Sequence, residues 1–267
     1  MMDIDRELRE LWELSFGDSP EYIDFFMNNK PESTRPYFEV LEDHIAGAVW
    51  GFECHIREVG PAVYAYALGT HPVYRHRYVA SGLMKALAAN LKASGKALCL
   101  LSADKQLCDF YKALGFRQLI SRKRVSLGSG GGAPVAVSDV SDEEYKALRD
   151  EYFSWGGCIC WDISFIRYAI RETRLCGGFA HKLVLGGKEY LLRGELRGNR
   201  LLIAETTMCD GELKSCAGSL LKHYGALELE CLLPADSGLP GELEYTAFLS
   251  SDAPEGPDSL WIGFTLE

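Results

Sequence analysis

The stretch "LGTHPVYRHRYVASGLMKAL", Leu68 to Leu87, decides the reading of the chain, because three kinds of signal meet in it. It leaves the apolar run Val63–Leu68, passes His71-Pro72 and carries Arg75, His76 and Arg77 side by side. It then enters a segment whose Leu83, Leu87 and Leu91 recur every four residues, the period of a helix face. Strand, basic loop and helix start in succession make an anion site. The first N–H groups of a helix have no intrahelical partner, and the positive end of its dipole lies among them. Ala80, Ser81 and Gly82 keep that helix start small enough for close approach. Tyr78 stands where such a loop usually has glycine, and a left-handed backbone there would cost it roughly 1–2 kcal/mol. The pattern G-x-x-x-x-G-K-[ST] is absent, which disfavours a nucleotide-hydrolysing loop.

Upstream, Leu8, Leu11 and Trp12 mark one face of an opening helix, and Ser19-Pro20 is an N-cap and N1 pair for a second. The run from Arg35 to Pro72 reads as three strands joined by short turns. Downstream, the helix ends at Gly95, and "KALCLLSA" is a short apolar strand. The crossover predicts Val63–Leu68 and Ala97–Leu101 to be parallel neighbours. Asp104 then caps a helix reaching Leu114, and "FRQLISRKRVSL" follows as a single strand.

"LGSGGGAPVAV", Leu127 to Val137, interrupts these periodic segments with glycine and serine. It divides the chain into an N-terminal domain, 1–127, a flexible linker, 128–133, and a C-terminal domain, 134–267. Ser141 and Glu144 form a capping box at the next helix. Strands with Gly186-Gly187 and Gly198-Asn199 turns follow, then a helix stopped by Gly225 and another strand. The order repeats that of the first half, and Gly95 and Gly225 occupy equivalent places, as expected of a divergent duplication. The second copy has no basic loop between strand and helix, which assigns the chemistry to the first. Both halves together predict an α/β chain with mixed sheets.

A formal net charge of −10 disfavours nonspecific binding to nucleic acid and is compatible with a cationic small-molecule partner. No apolar run is long enough to span a bilayer, and the charged start of the chain is unlike a secretion signal, so a cytoplasmic protein without a membrane partner is expected. The nine cysteines are expected to be reduced and mostly buried. Cys158-x-Cys160 lacks the second pair or nearby histidine that a structural zinc site uses, so no metal is expected. A homo-oligomer is compatible with all of this.

"LGTHPVYRHRYVASGLMKAL" resembles motif A of the GCN5-related N-acetyltransferase (GNAT) superfamily, with its Q/R-x-x-G-x-G/A loop, and "FYKALGF", Phe110 to Phe116, resembles motif B. The two stand in the expected order, one helix and one strand apart. The two-half arrangement is further similar to the Eis-like acetyltransferases, without their sterol-carrier-like third domain. The resemblance implies a GNAT fold followed by a second, degenerate GNAT-like domain, and an enzyme that moves an acyl group from acetyl-CoA to a primary amine of a small molecule or peptide by direct attack. It implies that the pantetheine pairs with backbone near Leu68 and Thr70. The pyrophosphate would rest on the amides of Arg75, His76, Arg77, Tyr78, Val79, Ala80 and Ser81, with Asp104 where an asparagine often contacts the cofactor.

Tyr111 matches the position of the general acid, at a phenol's ordinary pKa near 10, and packing against Leu107 and Leu114 is its other reading. The base stays open. Counting back from His71-Pro72 puts Tyr66 where many members have a glutamate, Glu53 and His55 on the preceding strand are substitutes, and the Eis-like comparison adds the terminal carboxylate at Glu267. Trp50, Tyr64, Tyr66 and Trp155 could line an acceptor pocket or simply pack a core. The rival to an enzyme is a module of the same fold that binds CoA or another ligand without transfer.

Overall fold

The computed structural model of the chain describes residues 3–250 and 257–264. It divides into two compact units, Met1–Gln118 with Thr246–Gly256 and Leu119–Tyr245 with Pro257–Glu267.

In the first unit, β1 (Arg35–Leu41), β2 (His44–Ile56) and β3 (Gly60–Thr70) form an antiparallel meander. Ile45 to Phe52 of β2 are buried without interruption, because helices cover both faces of that strand. On one face lie α1 (Ile4–Phe16) and α2 (Pro20–Asn29), capped by the side chains of Asp3 and Ser19. Leu8, Leu11 and Trp12 of α1 are its buried stripe, and the Trp12, Phe26 and Trp50 rings pack in sequence, tilted and then edge to face, with centroids 4.5 and 5.0 Å apart. On the other face, Leu83, Met84, Leu87 and Leu91 of α3 (Val79–Ala93) pack with Val49, Val63, Ala65 and Leu98. β4 (Ala97–Leu101) runs parallel to β3, and α4 (Lys105–Ala113) follows, with the Asp104 carboxylate accepting the Leu107 N–H at 2.8 Å.

The segment expected as one strand after Gly115 is two. β5 (Arg117–Leu119) belongs to the first sheet and β6 (Arg122–Leu127) to the second. Between them the Ile120 amide donates to Asp258 and the Ser121 amide to Glu244, so neither group continues a strand ladder. The unit boundary therefore lies near residue 118 instead of 127.

A second departure concerns the end of the chain. β14 (Ala247–Leu249) returns to the first unit and pairs antiparallel with β4, giving the order β1-β2-β3-β4-β14-β5. Ser259 to Phe264 makes a pair of isolated bridges, Ile120 with Ser259 and Cys158 with Trp261. Backbone bonds of Leu260 to Ile120 and of Trp261 with Gly157 and Ile159 hold its first half, and side chains hold the carbonyls of Ile262 and Gly263.

The second unit contains β6, β7 (Val135–Asp139), α5 (Asp142–Tyr152), β8 (Ile159–Cys160), α6 (Ile163–Leu175), β9 (Phe179–Leu185), β10 (Lys188–Arg197), β11 (Arg200–Thr206), α7 (Asp210–Tyr224), β12 (Glu228–Leu233) and β13 (Glu242–Glu244). Its sheet runs β13-β6-β12-β11-β10-β9-β7. The capping box of Ser141 and Glu144 starts α5. Leu213, Cys216, Ala217 and Leu220 of α7 pack on Leu192, Leu201, Ile203 and Cys231 of the sheet. β11, α7 and β12 repeat the order of β3, α3 and β4, and β11 and β12 are parallel. The left-handed Gly95 and Gly225, at φ +71° and +68°, end the two matching helices.

The glycine-rich segment after β6 is packed where a free linker was expected. The Gly131 and Ala133 amides donate to Lys214 and Ser215 carbonyls of α7, and a Cβ on Gly131 would stand 2.2 Å from the Ser215 oxygen. Glycine serves there to let backbone lie on backbone. No helix among the described residues is long and apolar enough to cross a membrane. Among the described residues no cluster of ligating side chains is placed to hold a metal, and the cysteines are free, with Cys176 and Cys209 exposed.

A buried ionic network fixes Leu260–Phe264 in the second unit. The Arg149 guanidinium donates to Glu205 at 2.9 Å, to the Ile159 carbonyl at 2.7 Å and to the Ile262 carbonyl at 3.0 Å. Arg193 donates to the Gly263 carbonyl at 2.6 Å and lies 4.7 Å from the Phe264 ring centroid. Tyr145 donates to the other oxygen of Glu205. Arg149 and Glu205 are both fully buried, so removing one charge strands the other away from water. Glu205→Gln should therefore lower stability by about 3–5 kcal/mol, read as a shift of the urea midpoint at unchanged m-value.

Candidate active site

The site is built where β3 and β4 part. They pair in parallel from Ala62–Ala97 to Ala65–Leu100 and no further, whereas pairing was expected to continue to Leu68. The cause lies on the opposite edge of β3. Its register against β2 runs Thr70–Gly47, Gly69–Ala48 and then Tyr66–Trp50, so Ala67 and Leu68 together oppose Val49. This is a β-bulge, with Ala67 in the left-handed region at φ +52°.

The extra residue inverts the alternation of side chains. Tyr66 packs on the α1 and α2 side against Trp12 and Phe26, with ring centroids 5.9 and 6.0 Å apart, while Leu68 joins the core on the α3 side. On the β4 side, Leu68 to Thr70 have no strand partner among the described residues. Backbone N–H and C=O groups of β3 are thus left facing a gap.

At the end of β3 the chain makes a 3₁₀ turn, Pro72–Tyr74, and enters α3. The Arg75 N–H donates to the Pro72 carbonyl at 3.3 Å, so the amides open to a ligand begin at His76, one residue later than the sequence implied. Tyr78 is left-handed, at φ 63° and ψ 15°, directly before the right-handed turn of α3. A left-handed residue followed by a right-handed one turns successive N–H groups toward a common point, the concave arrangement that binds anions. The first helical bond closes from Gly82 to the Tyr78 carbonyl, which leaves the Val79, Ala80 and Ser81 amides without a protein acceptor among the described residues. The Tyr78 ring is 85% exposed.

One glycine brings the start of α3 onto the sheet, and a second admits α1. A Cβ on Gly47 would stand 2.6 Å from Val79 Cγ1, and one on Gly69 would stand 2.7 Å from Ser15 Oγ. Neither was singled out from sequence, and the small run Ala46-Gly47-Ala48 is the signal that could have shown the first.

Around the amides, Arg75, His76 and Arg77 are all exposed. Arg75 Nε donates to the Thr70 carbonyl at 3.3 Å, tying the loop to the end of β3. Arg77 approaches Glu42 at 3.8 Å, a pair open to solvent that restrains it little. The Ser81 hydroxyl turns back to the Tyr78 carbonyl at 2.9 Å. Asp104 is exposed and already engaged as the α4 cap.

Tyr111, on α4, is buried in the same core as Leu83, Leu87 and Leu98, with its ring 5.3 Å from that of Phe248 on β14. Burial, and then the charges of Cys108 and Asp104, push its phenol up to about 12, against the ordinary value of 10 expected from sequence. Its hydroxyl has no hydrogen-bond partner among the described residues.

Other candidates lie apart. Glu53 is exposed, bonded to Lys96 at 2.9 Å, and pairs in register with Val63, five residues before Leu68 or roughly 16 Å along the strand. His55 is exposed two pairs further away. Tyr66 shares a hydrogen bond of 3.0 Å with Tyr22. Trp50 and Tyr64 are core residues. Glu267 lies outside the described residues.

Residues 5–119 match the family model described as an acetyltransferase (GNAT) domain. The first unit has the GNAT fold. Among solved structures, the chain is similar to a GCN5-related N-acetyltransferase from Anabaena variabilis (TM-score 0.71, 15% identity, 93% of this chain and 70% of that one). It is also similar to Eis1 from Mycobacterium abscessus (TM-score 0.68, 12% identity, 92% and 70%). A tandem GNAT protein from the clavulanic acid biosynthesis pathway matches at TM-score 0.55 and 12% identity over 94% and 95% of the two chains. At these identities the likeness establishes the fold, a two-domain GNAT architecture. No curated protein matches the sequence.

The left-handed backbone at Tyr78 has a measurable consequence for the GNAT domain. Tyr78→Gly relieves strain of roughly 1–2 kcal/mol, partly offset by the greater freedom of glycine in the unfolded chain. A net gain of about 0.5–1 kcal/mol is expected in chemical denaturation, whereas Tyr78→Ala, which keeps a Cβ, should leave stability nearly unchanged.

Proposed function

We propose that the protein is an acetyl-CoA-dependent N-acetyltransferase acting on the primary amine of a small molecule or peptide. The observation that carries this reading is the edge of β3 left without a strand partner beside Leu68 to Thr70, followed by the free amides at the start of α3. A pantetheine arm can add to the open edge of β3 as a short strand would, and a pyrophosphate can rest on His76 to Ser81 with Arg75 and Arg77 beside it.

In the reaction proposed, the lone pair of a neutral amine attacks the thioester carbonyl and forms the C–N bond. The tetrahedral oxyanion collapses, the C–S bond breaks, and the departing thiolate takes a proton from the Tyr111 hydroxyl. The proton lost by the amine nitrogen passes to solvent and restores the phenol. Glu53 is held by Lys96 well away from the gap. The reading therefore uses a free amine drawn from solution, with Tyr66 and Tyr22 as the polar groups on the α1 and α2 side of β3.

The pH dependence has a definite sign. The acceptor must be deprotonated and Tyr111 protonated, and a phenol at about 12 keeps its proton throughout the usable range. The rate should rise with pH to the pKa of the acceptor itself and then stay level through pH 10, where an ordinary phenol would already fail.

Acetyl-CoA at a hundredfold excess over Kd should stabilise the native chain by about 2.7 kcal/mol, a Tm rise of roughly 5–10 °C. Absence of any shift at millimolar acetyl-CoA would end the reading. Turnover measured across amino acids, polyamines, aminoglycosides and peptides identifies the acceptor. Tyr111→Phe should lower kcat about 10²-fold or more while leaving acetyl-CoA affinity in place. A native chain that binds acetyl-CoA and turns over no amine would instead favour a module that binds CoA without transfer, a reading for which the buried, raised phenol of Tyr111 speaks.

A further inference from the structure

The second unit repeats the parting of parallel strands, and the cavity it creates has the opposite chemistry. β11 and β12 pair from Arg200–Glu228 to Ile203–Cys231 and then separate, as β3 and β4 do. α7 begins beside the gap, the chain after β12 forms its far wall, and a cavity of about 320 Å³ opens there. That volume is enough for a small organic molecule.

In the first unit the matching place is bordered by Arg75, His76 and Arg77. Here no Lys, Arg or His lines the cavity, and its charged groups are Asp210 and Asp236. The helix start carries the protein's own carboxylates. Glu212 accepts the Cys209 N–H at 2.9 Å, and Asp210 accepts the Ser237 hydroxyl at 2.8 Å and the Gly238 N–H at 2.7 Å. An anion brought here would meet like charge on an occupied helix end.

A cation meets the reverse. Asp236 is exposed and has no ion-pair partner among the described residues. The remaining wall is aromatic, with the Tyr152 and Trp155 rings 5.9 Å apart and inclined at 78°, so that one presents a face where the other presents an edge. Burial, then the charges of Cys209, Asp210, Asp236 and Glu212, push the Tyr152 phenol up to about 12. Aromatic faces combined with carboxylates are the recognition chemistry of organic ammonium ions, since the ring quadrupole attracts a weakly hydrated cation and the carboxylate supplies its countercharge.

We propose that this cavity binds an organic cation, a protonated or quaternary ammonium on a small apolar body. Trp155 and Tyr152 form the wall around it, and Asp236 and Asp210 supply the opposing charge. The site is distinct from the CoA cleft proposed for the first unit, and binding in it requires no acyl transfer there.

Titration calorimetry of the full chain at low ionic strength, with choline and spermidine as probes and the uncharged 3,3-dimethyl-1-butanol as the isostere of choline, tests the site. The expected result is saturable binding of at least one cation at one per chain, with tryptophan fluorescence changing over the same range, and an isostere about tenfold weaker or more. Asp236→Asn, an exposed substitution that should leave the fold intact, should weaken the cation about tenfold, and Trp155→Leu should abolish the fluorescence response. Acetyl-CoA should not compete. The proposal is overturned by no saturable binding of either cation, by an isostere that binds equally well, by an Asp236→Asn chain of unchanged affinity, or by displacement with acetyl-CoA. If acetyl-CoA fails to stabilise the chain while the cation binds as described, the acyltransfer reading falls and the cation site stands.

Discussion

The first unit depends on one extra residue in β3. With Ala67 inserted, β3 cannot keep a regular ladder to β2 on one edge and to β4 on the other, so the parallel pairing ends at Ala65 and Leu100. The left-handed Ala67 and the residues it releases are tolerated because everything around them is fixed. Trp12, Phe26 and Tyr66 lock one face, and Leu68 is drawn into the α3 core on the other. β4, paired to β3 on one edge, takes β14 on the other. The strain is thus confined to a few backbone positions while the apolar burial on both faces holds the sheet together.

The same constraint explains why α3 begins where it does. A helix start brought close to a strand needs small residues on the strand, and Gly47 leaves room for Val79 where a Cβ would stand 2.6 Å from it. The reversal of backbone hand at Tyr78 then aims the helix amides at the gap, although tyrosine is a poor residue for that conformation. The exposed ring shows how the position accommodates it: the side chain projects into solvent, and only the backbone takes part in the concavity.

Most of the secondary structure was legible because periodicity and caps agree. Leu8, Leu11 and Trp12, the Ser19-Pro20 cap, Asp104, and the Ser141 and Glu144 box all act as their residue types dictate. The long-range choices were not legible. Nothing local in "FRQLISRKRVSL" says that its two halves join different sheets, since that is decided by the Asp258 and Glu244 carbonyls far along the chain. β14 was missed because three residues carry no pattern of their own. α6 was overlooked although Asp162 caps it and Phe165, Ile166 and Ile170 form its buried stripe. In the site, the motif residues fixed the loop and Tyr111, but the bulge at Ala67 leaves no mark in the sequence, because alanine is not a residue that favours a left-handed backbone. Glu53 satisfied alternation and failed on register, which only the paired strand reveals.

The second unit shows what happens to such an architecture when the ligand changes. Its parallel strands part as in the first unit, yet Glu212 accepts the Cys209 amide at the start of α7, and Asp210 beside it holds Ser237 and Gly238. A helix N-terminus that receives an external anion must leave its amides free and surround them with positive charge, whereas one capped by carboxylates is stable without a ligand. The capping of α7 therefore removes any need for phosphate and leaves a negatively charged gap in its place. Holding that gap open falls to the rest of the unit. The Arg149 and Glu205 pair pins the extended segment Leu260–Phe264, and Gly263, where a Cβ would stand 2.1 Å from Glu205 Oε1, permits the close approach. The Trp261 ring in that pinned segment packs on Phe153, in one cluster with Tyr152 and Trp155, so the aromatic wall of the cavity has the same foundation as the buried ion pair.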